Sequence, residues 1–502
     1  MSVWLPPCPV SPTTPSPHFA LATCTSDPEA QPSGGRRVPF GWTAAPVPVA
    51  GERPPVRLAW SSGTRAPAAV LRFTVACDDR EEKRVTVRTA VTGTELGTVD
   101  VRFADPHQRF GLYLESSKAE VAVREGVALE VTRGTSPLWI FIGPDSPVSH
   151  RPCLLPAAEG DPTAELFTRL ASLDSIQPFG WMEGCVLDAL SEMERSFPQQ
   201  ADRIGIALTA HLGRYISDGD IHYEDPRSKP VVNRYYGIEA TLPVVAIADR
   251  DHDHPAVRRA VEDWRARADD EGCVRDAPTT AEGCYTVAYP MAFVARRWKS
   301  PELAALARAQ LLTRRERLFS GGALHLRLLP DSTRIYRDWA RAYAWYLLGL
   351  VRTARVLDGH EETEDLWREA REVAAMLLDL QTPDGLWFCF VNEPSSGVET
   401  SGSAGIAAAL ALGCETGRFG DEIGQAARRA WGGLVNRLTP DGWLSGSSQA
   451  NKGGEAFQRS GGTACISGCG HGADGAARGS ARTVGRPCAR HGGGRLSLEF
   501  HP

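Results

Sequence analysis

From Pro162 to about Arg437 the apolar residues recur with a helical period, and no other feature restricts the fold of this chain as strongly. The spacing predicts helices near 163–173, 179–195, 199–216, 236–249, 255–270, 282–298, 301–318, 335–357, 361–381, 401–416 and 421–437. Amphipathic helices joined by short loops pair in sequence as hairpins, and a ring of such hairpins is an α/α toroid. Thr382-Pro383-Asp384-Gly385-Leu386-Trp387 returns as Thr439-Pro440-Asp441-Gly442-Trp443-Leu444, each copy a Pro-Asp-Gly turn after an amphipathic helix. The interval of about 57 residues is that of two helices with their loops, one hairpin of an array. Segment 401–413 is made mostly of small residues and reads as an inner helix packed closely on all sides.

Upstream the period is different. Between Phe40 and Pro147 short alternating runs such as 69–76, 84–88, 98–103, 121–124 and 137–142 are separated by turn-prone residues. Short strands at this spacing imply an antiparallel β-sandwich over 37–150. Residues 1–36 are rich in Pro, Ser and Thr and read as a disordered leader, or as translated sequence upstream of the true start. The helical domain is expected over 160–460. In 461–502 Gly, Ala, Arg and Cys dominate and the apolar period vanishes. A one-base shift turns His471–Gly479 into a helix-compatible string, so 461–502 is expected to be a frameshifted tail that costs the toroid its last helix.

A formal net charge of −6 over 502 residues, with no basic stripe, gives no footprint for nucleic acid. No apolar run reaches the length of a membrane span, and the N-terminal stretch lacks the pattern of a signal peptide. A cytoplasmic protein is the expectation. The 12 cysteines are scattered without a CxxC pair, and Cys284, Cys389 and Cys414 sit in apolar stretches as small hydrophobes. Cys465, Cys469 and His471 are spaced only faintly like a metal site, so neither a metal nor another cofactor is expected.

Chemistry concentrates in Asp338-Trp339-Ala-Arg341-Ala-Tyr343-Ala-Trp345. Arg341 and Trp345, four apart, project from one helical face. A guanidinium fork beside an indole suits a ligand with a carboxylate and an apolar ring face, as an acidic sugar has; a core Trp with a surface Arg is the plainer alternative. The aromatics Trp181, Tyr235, Tyr236, Trp339 and Trp345 on inner helices favour a sugar site over a protein scaffold.

The helical half resembles the unsaturated glucuronyl and rhamnogalacturonyl hydrolases, glycoside hydrolase families 88 and 105 of the six-hairpin superfamily. Trp339-Ala-Arg-Ala-Tyr-Ala-Trp345, Glu399-Thr-Ser-Gly-Ser-Ala404 and Asp384-Gly-Leu-Trp387 are similar to motifs of those families. The resemblance spans about 230–450. It implies an (α/α)6 barrel acting on an acidic, unsaturated uronyl oligosaccharide, with Arg341 and Trp345 holding the uronate and the sugar ring, and Trp339, Tyr236, Tyr285, His325 and Glu399 near the substrate. It also implies a carboxylic acid that protonates the C4=C5 bond, and such an acid needs a raised pKa. Tyr285 stands where the families carry that aspartate. Glu282 and Glu239 are the candidate replacements, each with a plainer alternative as a helix-terminal or capping carboxylate. Asp338 is a further candidate, or else it orients Arg341 or caps its helix; His325 is alternatively a surface histidine. An ordinary two-carboxylate glycosidase using Glu239 with Asp338 or Glu399, and an inactive sugar-binding homologue, are the competing readings.

Overall fold

The computed structural model describes residues 20–25, 32–61, 63–65, 67–157, 160–276, 278–359, 362–449 and 453–460. The expected frameshifted tail and the Cys465–Cys469–His471 group lie outside them. The N-terminal part is an antiparallel sandwich. One five-stranded sheet runs in the order Thr23–Thr25, Val56–Ala59, Val127–Arg133, Glu82–Thr89, Glu95–Arg102. The facing four-stranded sheet runs Ala20–Leu21, Cys153–Pro156, Ala69–Thr74, Arg109–Leu114. Alternating side chains from both sheets, among them Leu58, Leu71, Phe73, Val85, Val87, Phe110 and Leu129, fill the space between them.

Two expectations need correction here. Residues 20–25, placed in a disordered leader, pair as strands with Cys153–Leu154 and Arg57–Ala59. Residues 121–124, read as a strand, belong to helix α1 (Ser116–Glu125), which buries Ala119 and Ala122 at helical spacing. A four-residue alternation fits both periods, and the three-residue spacing of the buried alanines decides it.

The helices that follow are α2 (Pro162–Leu170), α3 (Trp181–Ser196), α4 (Ala201–Leu212), α5 (Val244–Arg250), α6 (Pro255–Arg267), α7 (Tyr289–Trp298), α8 (Pro301–Leu318), α9 (Ala340–Leu357), α10 (Glu364–Asp379), α11 (Thr400–Glu415), α12 (Asp421–Val435) and α13 (Gly454–Arg459). Their starts carry the expected chemistry: Asp161 caps α2 and Ser300 caps α8, each followed by Pro in the first turn. The pairs α3–α4, α5–α6, α7–α8, α9–α10 and α11–α12 pack as hairpins, and α3, α5, α7, α9 and α11 pack successively as the inner layer.

Prolines break two predicted helices. The 236–249 stretch is a 3-10 turn, Ile238–Thr241, followed by α5 after Pro243. The 282–298 stretch opens as a π turn, Cys284–Ala288. Pro290 has no N–H to give the Thr286 carbonyl, which accepts instead from the Thr241 hydroxyl at 2.6 Å. The predicted 335–357 helix begins as a strand, Arg334–Arg337; Asp338 then takes a left-handed φ of 60° and α9 starts at Ala340.

Glycine sets how closely α9 is approached. A Cβ on Gly349 would meet the Cys284 carbonyl oxygen at 2.3 Å, a backbone atom that cannot swing aside. Gly349→Ala is therefore expected to cost about 1–3 kcal/mol, as overpacked cores do. Denaturant titration checks this, and an unchanged midpoint contradicts it. Gly402 and Gly405 of α11 likewise meet Ala340 and Ala344 of α9, so the small-residue segment packs closely there, but not on all sides as expected, since Ala408 and Ala411 are exposed.

Sandwich and helices share buried structure. One apolar cluster contains Trp42, Trp139 and Phe141 together with Phe179, Tyr215 and Trp264. At the same junction Arg72 donates to Asp441, both side chains fully buried, and Arg109 stacks 3.4 Å from the Trp443 ring centroid. Asp441 belongs to the second Thr-Pro-Asp-Gly turn, so that copy docks the sandwich while Asp384 of the first copy is exposed.

Candidate functional site

A cleft opens where the inner helices face the sandwich, with about 890 Å³ of space including the part open to solvent. Trp339, Arg341, Trp345, Tyr236, Glu239 and Glu282 line it, joined by Pro178, Phe179, Trp181 and Met182 from the start of α3. Arg80, Asp105 and Pro106 of the sandwich and the turn residues Asp225 and Pro226 complete the wall.

The start of α9 supplies one side of the cleft. Arg341 and Trp345 both face the cleft from successive turns, as their spacing requires. Trp345 meets Trp181 edge-on at 5.2 Å. The Arg341 guanidinium lies 4.3 Å from the Trp339 ring centroid and donates to the Ser448 and Gln449 carbonyls at 3.2 and 2.6 Å. It is nearly buried, and among the described residues it has no carboxylate within ion-pair distance. A buried cation held only by neutral carbonyls attracts an anion strongly.

Glu239 and Glu282 line another part of the cleft. Glu239 sits on the 3-10 turn before α5, and Glu282 just ahead of the π turn. The two carboxyl groups are close neighbours in the cleft wall. Burial pushes the Glu239 carboxyl well above the ordinary range, the neighbouring Glu282 raises it further, and Arg327 only partly opposes this. The Tyr236 hydroxyl donates to Glu239 Oε2 at 3.3 Å. Glu282 Oε2 is buried with no hydrogen-bond partner among the described residues.

Other expected site residues lie elsewhere. Tyr285 is buried behind the cleft wall, its ring stacked 6.0 Å from Trp345 and its hydroxyl donating to Asp188. Asp188 also pairs with Arg352 at 2.8 Å and accepts from Tyr289 at 3.3 Å. Asp338 neither orients Arg341 nor caps α9: it accepts from the Tyr343 hydroxyl at 2.7 Å and from the Asn392 amide at 3.0 Å, and Trp339 holds the cap position. Glu399 is fully buried as the cap of α11, accepting from the Ser401, Gly402 and Ser448 amides. His325 sits within the strand Ala323–Leu328, with Nδ1 3.1 Å from the Leu318 carbonyl oxygen. None of these four lines the cleft.

Sequence reasoning did not single out Asp188 and Arg352, buried charges of α3 and α9. It also missed the loop residues of the wall. Two of those pairs are Asp-Pro dipeptides, Asp105-Pro106 and Asp225-Pro226, which read as turns and carry no sign of convergence. Among the described residues no group of His, Cys, Asp or Glu is placed to hold a metal ion, and no helix is long and apolar enough to cross a membrane.

Residues 331–473 match the sequence model of Glycosyl Hydrolase Family 88. Residues 461–473 fall inside that match, although a frameshift was expected to begin at 461. A comparison with curated proteins finds no match. Among solved structures, a glycoside hydrolase of family 105 from C. acetobutylicum is 17% identical, covering 60% of this chain and 94% of its own, with a TM-score of 0.50. A possible member of family 105 from Salmonella enterica serovar Paratyphi A is 18% identical over 56% of this chain and 77% of its own, with a TM-score of 0.48. An unsaturated glucuronyl hydrolase from Bacillus sp. GL1, described as responsible for the degradation of glycosaminoglycan, is 18% identical over 54% and 78%, with a TM-score of 0.38. The helical half has a fold like that of the family 105 structure from C. acetobutylicum, preceded here by a β-sheet-rich region.

Proposed function

We propose that this protein is a carbohydrate-active hydrolase that removes a terminal unsaturated uronyl unit from an acidic oligosaccharide by hydrating its C4=C5 bond. The observation that carries the reading is the buried Glu239, raised by burial and by neighbouring Glu282, in one cleft with a buried guanidinium that has no carboxylate partner among the described residues. Arg341 takes the uronate carboxylate, and Trp339, Trp345 and Trp181 supply apolar faces for the ring. Glu239 transfers its proton to C4, leaving positive charge shared between C5 and the ring oxygen. A water molecule then adds through oxygen to C5 and gives its proton to the carboxylate pair. The resulting hemiketal opens, and the hemiacetal at C1 releases the remaining sugar as an alcohol.

The ordinary glycosidase alternative is less well supported. Displacement needs two carboxyl groups about 5–9 Å apart across the scissile bond. Glu239 and Glu282 are neighbours close enough for one to raise the other, and Asp338 and Glu399 are occupied away from the cleft. The test is a panel of unsaturated uronyl disaccharides with their saturated counterparts. Loss of the vinyl-ether absorbance with a ring-opened product is the expected result; cleavage of the saturated series alone would transfer the site to the glycosidase reading. Sugar binding without turnover would mark an inactive homologue.

A further inference from the structure

We propose that the β-sandwich builds a second sugar subsite at the cleft mouth, in which Arg80 and Asp225 receive an uncharged sugar joined to the terminal uronyl unit; this deepens, and rests on, the function proposed above. Arg341 and Trp345 are nearly buried, whereas Arg80 is exposed on the same wall. A chain whose terminal unit reaches Arg341 therefore leaves the cleft past Arg80. The position of Arg80 is fixed. Its Nε donates to Asp78 at 2.8 Å, and its Nη2 donates to the Pro226 carbonyl at 3.3 Å. Around it the sandwich is stitched to the 225–230 turn, with the Asp78 amide donating to the Ser228 hydroxyl at 3.0 Å and the Arg37 amide to the Ser228 carbonyl at 2.6 Å. Asp225 is equally fixed, one carboxylate oxygen accepting from the Arg227 and Lys229 amides at 2.7 and 3.0 Å.

These contacts leave Arg80 Nη1 as a donor and the second Asp225 oxygen as an acceptor on one wall. A donor beside an acceptor matches the vicinal hydroxyls of a sugar. The charge balance chooses the kind of sugar. Asp78 meets the charge of Arg80, Arg36 donates to the Asp78 carbonyl at 2.8 Å, and Asp225 has no ion-pair partner among the described residues, so these four groups carry no net charge. A sulfated or carboxylated sugar gives up its hydration here without a surplus positive charge to meet it, and an uncharged one does not.

Three substrates test this: an unsaturated uronyl aryl glycoside with no second sugar, a disaccharide with an uncharged second sugar, and the same disaccharide sulfated on that sugar. The wild type is expected to favour the uncharged over the sulfated disaccharide by about tenfold in kcat/KM, the size of one lost hydrogen bond to a charged group. Arg80→Ala is expected to raise KM for the uncharged disaccharide about tenfold, with less than about a twofold change on the aryl glycoside. Asp225→Asn is expected to narrow the discrimination against sulfate. Wild-type turnover of the aryl glycoside, with Arg80→Ala acting equally on it and on the disaccharide or on neither, would overturn the subsite and leave the uronyl hydrolase reading standing. A folded wild type that neither binds nor turns over any of the three would remove both.

Discussion

Glu239→Gln is expected to lower turnover of an unsaturated uronyl disaccharide about a thousandfold, within the range general acids contribute. The amide keeps the volume of the side chain and an acceptor for the Tyr236 hydroxyl, and it has no proton to give to carbon. The fold should survive, so KM and the circular dichroism spectrum are expected to stay close to wild type while kcat collapses. The pH dependence carries the same signature. Burial and then Glu282 raise the Glu239 carboxyl, so the active protonated form persists at pH values where an ordinary glutamate has ionised. Activity is accordingly lost as pH rises through that raised value. Stability has the same sign: the contribution of a raised acid is complete below its unfolded pKa of about 4.3 and is lost as pH rises through the folded one. Glu239→Gln should therefore be more stable than wild type on the alkaline side, where wild type must ionise a buried carboxyl. Full turnover by this variant would remove Glu239 as the acid.

Asp441→Ala is expected to destabilise the protein by about 3–5 kcal/mol, the cost of removing one member of a buried ion pair. Asp441 and Arg72 are both fully buried at the junction of sandwich and helices. Asp384→Ala, at the equivalent position of the first Thr-Pro-Asp-Gly turn, removes an exposed side chain and should change stability by less than about 0.5 kcal/mol. One motif thus has two energetic roles, set by what lies across from it. Burial raises the Asp441 carboxyl, and Arg72 outweighs burial and holds it below the ordinary range. Its stabilisation is present above the unfolded pKa of about 3.9 and is lost as pH falls through the folded value. Denaturation midpoints of the two variants check the contrast, and equal losses would contradict it.

The helical period made the hairpins legible because each inner helix needs an apolar stripe wherever it packs. The boundaries were less legible where proline intervened: Pro243 and Pro290 convert predicted helix starts into 3-10 and π turns. For the site, the four-residue spacing of Arg341 and Trp345 sufficed, since helical geometry alone puts them on one face. Glu239 and Glu282 were both named from the sequence as alternative acids. Their pairing is a tertiary contact between segments some forty residues apart, which no local period encodes. Glu399 and Asp338 misled for the opposite reason: motif position put carboxylates near the cleft, and local hydrogen bonds consumed them as a cap and a tyrosine partner. Arg80 was out of reach, because nothing in a sandwich loop announces which helical domain it will face.

The most direct test of the central claim is the site of hydrogen addition. Turnover of an unsaturated uronyl disaccharide in deuterium oxide, followed by nuclear magnetic resonance or mass spectrometry at early times, reports whether a solvent-derived proton enters carbon. Protonation by the Glu239–Glu282 pair predicts one deuterium at C4 of a ring-opened product, absent in Glu239→Gln. A released uronic acid that keeps its double bond and carries no carbon-bound deuterium would contradict it.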